Sequence, residues 1–307
     1  MKSFRKGLLY GAAAFLLVGL TLFFCGTAAG GFGAARDIFR SGFWLDSRGL
    51  HTGRDPGSLQ REEAVLDAFE NVDIDLSYND LELIPSDRWA IEICAYERLG
   101  RVSYAVRGGT LIVSQGSSAV NLGGFNGMED TYVRIYYPEG TAFGRFETDV
   151  SFADEILPPL TASELRLTMS YGTLASDALA AQTAVLSTDF SDFTIDGLEA
   201  EEITLSASYG SAALYGASGR VRVDSSFGDI TYMGEPQDGS RFTTSYGDMD
   251  ITISADRALY ELSAETDFGD FSVDGRDKGE SYTANEGAGR RVVFETSFAD
   301  TALRLNE

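Results

Sequence analysis

The sequence predicts an all-β chain: a single-domain β-solenoid, parallel β-helix-like with coils of about 19 residues, preceded by one N-terminal transmembrane helix. Three observations predict it. A short phrase returns nine times, Ser or Asp, an aromatic, a small residue, then usually Asp, as in Ser226-Phe227-Gly228-Asp229 and Ser245-Tyr246-Gly247-Asp248. Its aromatics are Tyr78, Phe152, Tyr171, Phe190, Tyr209, Phe227, Tyr246, Phe268 and Phe298, and from Phe152 to Tyr246 the steps are 19, 19, 19, 18 and 19 residues. A fixed period of that size marks a repeat architecture in which each unit buries its apolar face against its neighbours. Around the aromatics, apolar residues alternate with polar ones, the period-two signature of strands. Finally, Gly7 to Ala35 carries no charge.

Each element follows from local chemistry. Lys2, Arg5 and Lys6 precede the uncharged stretch, whose densest part runs from Ala12 to Cys25. That length spans a bilayer as a helix, and the basic flank places the short N-terminus in the cytoplasm, so residues 1–35 read as a stub and anchor. A cleaved secretory signal, cut near Thr27-Ala28-Ala29, is the competing reading. Residues 36–57, with Gly42, Gly49, Gly53, Pro56 and Gly57, read as a juxtamembrane linker. The domain proper is 58–307. Ser58 to Phe69 reads as a short amphipathic helix capping the first coil.

From Asn71 the pattern is strand, bend, strand. Leu167, Leu186, Leu205, Val223, Phe242 and Phe294 stand four residues before an aromatic, and Ile195, Leu214, Tyr232, Ile251 and Val273 five after one. The bend is expected at the residue after the aromatic, which is Gly172, Gly210, Gly228, Gly247 or Gly269 in five copies. The 74 residues from Tyr78 to Phe152 would hold close to four coils, with Leu111 to Gly116 a degenerate copy. The step of 30 from Phe268 to Phe298 implies that Asp274 to Gly289 loops out. Trp89 to Cys94 reads as a strand, which keeps Cys94 apart from Cys25.

Charge narrows the function. The chain carries −23, and residues 36–307 hold all 47 acidic residues against 21 basic ones, a net −26. Such a surface repels nucleic acid and anionic headgroups, so no nucleic-acid partner is expected. The single histidine, His51, falls in the linker, and no His/Cys metal cluster or phosphate-cradling loop is present. The expectation is no enzyme and no catalytic residue.

The stretch Val133-Arg134-Ile135-Tyr136-Tyr137-Pro138-Glu139-Gly140 and the steps Gly228-Asp229-Ile230, Gly247-Asp248-Met249 and Gly269-Asp270-Phe271 resemble the bacterial putative adhesin family. The resemblance covers roughly residues 69–305. It implies a membrane-anchored β-solenoid domain of unknown function at the cell envelope, in some members linked with envelope-stress signalling, and it brings no catalytic residues. Family likeness of this kind gives fold and not function.

Two sets of residues remain as site candidates. The aromatics Phe152, Tyr171, Phe190, Tyr209, Phe227, Tyr246, Phe268 and Phe298 are expected to form an internal ladder in the core, against the alternative of an exposed platform for sugar rings. Two places after the aromatics runs a row of acids: Asp80, Asp154, Asp192, Asp229, Asp248, Asp270 and Asp300, broken by Thr173 and Ser211. Stacked coils bring neighbours in that row to roughly 5 Å, where a hard cation would relieve repulsion, so Asp192, Asp229, Asp248 and Asp270 are weak calcium candidates. The favoured reading is that each Asp caps its own bend through backbone hydrogen bonds, with no cofactor. Taken together, the expected role is a non-catalytic binding, adhesion-like or structural one on a single-pass membrane protein with its C-terminal domain outside the cell membrane. The expected partners are the membrane, through the N-terminal helix, and an envelope protein or polysaccharide. A regulatory ectodomain and a polysaccharide-binding or -cleaving solenoid stand as alternatives.

Overall fold

The computed structural model describes residues 43–46, 49–52, 58–116, 119–121 and 130–306, with side-chain detail for 58–116 and 130–306. The expected anchor, 1–35, lies outside them. Among the described residues no helix is long and apolar enough to cross a membrane. The chain separates into two compact units. In the smaller one, Phe43–Asp46 pairs antiparallel with both Gly49–Thr52 and Ala119–Asn121. Residues expected to be linker thus supply two strands.

In the larger unit (58–116 and 130–307) parallel strands stack at the sequence repeat. Leu160–Ser170 pairs with Leu179–Asp189 so that Leu167 faces Leu186, and Leu186 faces Leu205 in turn, each step 19 residues. Strands after the corners keep the same register: Glu155 beside Leu174, Leu174 beside Phe193. Each coil therefore contributes one strand before its aromatic and one after. The inward columns that the alternation picks out are buried throughout, from Ile74, Leu167, Leu186, Leu205, Val223, Phe242 and Phe294 on one side to Leu83, Ile195, Leu214, Tyr232, Ile251 and Val273 on the other. Asp192–Pro236 runs as one stretch of extended chain through two corners, Tyr209 and Phe227.

Both ends depart from the expectation. Tyr78 and Phe152 belong to adjacent coils, since Asn71–Ser77 pairs in parallel with Ala142–Ser151. Of the described residues between them, two strands make a single further coil: Thr110–Gln115 lies along Asn71–Ser77, and Tyr132–Pro138 along Asp80–Ser86. The Leu111 copy is thus in register. Antiparallel strands cover this end. Val102–Arg107 flanks Thr110–Gln115, and Ala90–Tyr96 flanks Tyr132–Pro138 with Leu59–Val65 beyond it.

Leu59–Val65 is the segment expected as a capping helix. Its charges are spaced for either period, and pairing with Ala90–Tyr96 decides for the strand. Gln60 is held within it, donating through Nε2 to Val102 O at 3.0 Å and accepting from Val102 N at 3.1 Å.

At the other end, coil order departs from chain order. Arg290–Ser297 lies between Ser240–Thr244 and Tyr260–Asp267, and Thr301–Asn306 lies between Met249–Asp256 and Phe271–Val273. The last coil is wedged between the two before it. The segment expected to loop out instead turns back on the end coil: Arg276–Asp277 pairs antiparallel with Ser272–Val273, and Ser281–Ala284 with Leu262–Glu265.

Candidate functional site: the corner edge

The corners make the one surface on which the repeat is written outward. Inward residues stand at even offsets before the aromatic and at odd offsets after it, so one residue per coil must fall outside the alternation. That residue is the aromatic. Tyr78, Phe152, Tyr171, Phe190, Phe268 and Phe298 all take left-handed backbone, φ 53° to 63°. The side chain swings outward, and the following residue turns in: Asn79, Ala153, Ser191 and Ala299 are buried. Glycine is used there chiefly for space. A Cβ on Gly172 would lie 1.9 Å from Ala153 O, and one on Gly247 2.0 Å from Gly228 O.

The ladder exists, then, but on the outside. Its rings stack in the order Tyr78, Phe152, Tyr171, Phe190, Tyr209, Phe227, Tyr246, Phe298, Phe268, with centroids 4.4–5.3 Å apart and planes within 14°. From Phe152 onward they are exposed, 40% at Tyr209 to 54% at Tyr246, and 83% at Phe268. This corrects the expected core ladder: parity would bury each aromatic, the left-handed corner reverses it at six of them, and Tyr209, Phe227 and Tyr246 turn outward without a positive φ of their own. An outward left-handed residue costs on the order of 1–2 kcal/mol. Ring stacking returns about 0.5–1.5 kcal/mol per pair, which nearly offsets it. The alternative of a sugar platform meets a geometric obstacle, because each interior ring spends both faces on its neighbours and shows only an edge.

The acidic row binds between coils rather than within its own bend. Asp80 Oδ1 accepts from Asp154 N, Asp154 from Thr173 N, Asp192 from Ser211 N, and Asp229 from Asp248 N, each at 2.9 Å. The chain of bonds continues from Asp248 to Asp300 N at 3.0 Å and from Asp300 to Asp270 N at 2.9 Å, following the wedged order. At the breaks in the row the residue serves as donor: Ser211 also gives its hydroxyl to Asp192 at 2.7 Å. In each accepting carboxylate these bonds use only Oδ1. Among the described residues no three His, Cys, Asp or Glu converge as a metal site. Burial raises the pKa of Asp80, with Asp154 as its neighbour.

A third row was missed from sequence. Two residues before the aromatic, an inward hydroxyl donates across the corner to the carbonyl after it: Thr188 to Ser191 O at 2.8 Å, Ser225 to Gly228 O at 2.6 Å, and Thr244 to Gly247 O at 2.9 Å. The run of Ser and Thr in an otherwise apolar column was its signal. Also missed is Glu155, fully buried between Leu81 and Leu174. One of its oxygens meets Thr148 Oγ1 at 3.2 Å and the other has no partner. Burial pushes its carboxyl up to about 8, so it is protonated at neutral pH.

The family profile described as Toastrack DUF4097 matches residues 69–297. Similar solved structures include a putative adhesin from Bacteroides fragilis NCTC 9343, with 11% identity over 80% of this chain and 97% of that one, TM-score 0.48. Another is a putative adhesin from Parabacteroides merdae ATCC 43184, at 14% identity over 82% and 97%, TM-score 0.42. A third is described as a putative lipid binding protein from Parabacteroides distasonis ATCC 8503, at 13% identity over 82% and 98%, TM-score 0.38. No curated protein matches.

Proposed function

Since the chain belongs to the Toastrack DUF4097 family, we propose that it is a non-catalytic binding protein, a β-solenoid whose partner-facing surface is the aromatic corner edge. One observation carries this reading. Eight half-exposed or more exposed rings, Phe152 to Phe268, run in an unbroken row along the stack. At on the order of 100 Å² each they expose about 800 Å² of apolar strip, against 300–600 Å² for the largest patch on an ordinary monomer. The flanking Ser and Asp rows confine that strip to one ring's width.

The uncharged segment 7–35 with its basic flank supports an envelope setting, with the stub cytoplasmic and the stack outside. In that setting an envelope protein or polysaccharide would meet ring edges and carboxylates rather than ring faces.

The test uses Tyr171→Asn with Phe190→Asn, because asparagine tolerates the left-handed corner. The full-length chain and this variant are sedimented with isolated bacterial envelopes after melting curves establish that both fold. Saturable binding lost in the variant is the expected result; equal binding would remove the strip from the partner surface. Protease access to the C-terminal domain in intact cells checks the topology.

A further inference from the structure

The row of rings ends at Phe268, and its end differs from its length. Every interior ring is sandwiched. Among the described residues Phe268 stacks on Phe298 alone, at 4.9 Å and 9°, and it is 83% exposed. That ring lines a cavity of about 590 Å³ with Asp267, Asp270, Asp277, Glu280 and Asp300. The volume is ordinary for a small-ligand site.

The cavity is negative and unneutralised. Among the described residues none of these five carboxylates forms an ion pair, although cations lie close by in sequence. Lys278 sits over the Tyr282 ring at 5.3 Å, and Arg257 pairs with Asp274 at 3.6 Å. Nor do the carboxylates converge on a point as a bare metal ion would need. They line one space together with Phe268, the ring at the end of the row. A cation that is flat, wide and rich in N–H groups matches all three features at once, because it stacks on the ring while its edge donates to separate carboxylates. Guanidinium has that shape, and carboxylates bind it through paired hydrogen bonds.

We propose that this end pocket holds an arginine side chain of a partner protein, stacked on Phe268 and bonded at its rim by Asp267, Asp270, Asp277 and Glu280. The hairpin Arg276–Ala284, folded back on the end coil, fixes the acidic side of the pocket. The site takes the free face of the strip's last ring, where the rest of the strip offers only edges.

Calorimetric titration of the full-length chain at low salt with methylguanidinium tests this. Saturable binding in the millimolar range is expected. Phe268→Leu, which keeps apolar bulk but removes the π-face, should weaken it about fivefold or more. Phe268→Tyr should retain it, which separates loss of the ring from loss of the fold. Tetramethylammonium, which has no N–H to donate, should bind about tenfold more weakly or not at all. Absence of saturable binding, indifference to Phe268→Leu, or tetramethylammonium binding as tight as methylguanidinium would each overturn the proposal. The strip reading would survive any of these results, because its test involves Tyr171 and Phe190.

Discussion

Glu155 occupies a position that leucine holds in the coils on either side, and its burial has a definite pH signature. Its carboxyl titrates near 8 in the folded chain against 4.5 for the ordinary group. Above pH 4.5 the unfolded chain gains by ionising while the folded chain stays protonated up to about 8. Stability therefore falls as pH rises through that window and the loss levels off above it. The full effect is of order 4–5 kcal/mol. Urea unfolding at pH 5 and pH 8.5 should show the loss, and Glu155→Leu should remove most of it while raising stability at neutral pH. A slope unchanged in the variant would contradict the buried, protonated state. The inward corner glycines give a second expectation. Gly247→Ala places a Cβ 2.0 Å from a neighbouring backbone carbonyl. It should cost about 3 kcal/mol, read as a lowered melting point, since backbone rather than a flexible side chain must yield.

At the scale of the coil, the acidic row is a string of acceptors for the next coil's N–H. Asp229→Ala should cost about 1 kcal/mol, whereas Asp229→Asn, which keeps an acceptor oxygen, should cost less. Calcium should leave the melting point of the parent unchanged; a concentration-dependent rise would instead show that the row's carboxylates bind a cation. Much of the coil was legible in sequence, because period and alternation are imposed by the strand pleat and by the packing of equal coils. The ladder's facing was misread for an equally physical reason. Even offsets before Tyr171 and odd offsets after it already imply one residue out of alternation, and taking the glycine as the bend hid which residue that was. Thr188, Ser225 and Thr244 interrupt an apolar column because they are the donors that close their corners. The capping segment at Leu59 was undecidable locally, since only its pairing with Ala90–Tyr96 settles its conformation.

From the Phe152 coil to the Tyr246 coil sequence order and spatial order agree, whereas at each end of the stack one coil lies between two others out of chain order. No periodicity reveals the wedge, because a parallel strand reads alike whichever neighbour it joins. Residues 290–306 pair on both sides, with the coils of Tyr246 and Phe268. Removing them should therefore release the Phe268 coil as well as the segment deleted. In hydrogen exchange, amides of 260–273 in a chain ending at Gly289 should lose protection while those of 160–207 keep it; retained protection at 260–273 would mean that the coils close up over the gap. The wedge also bears on biosynthesis. A ribosome completes Tyr260–Val273 before it makes the strands that must separate that coil from the Tyr246 coil. During translation the stack carries an open seam beside Phe242 and Ile251, and only residues 290–306, made after the coil they must separate, can close it.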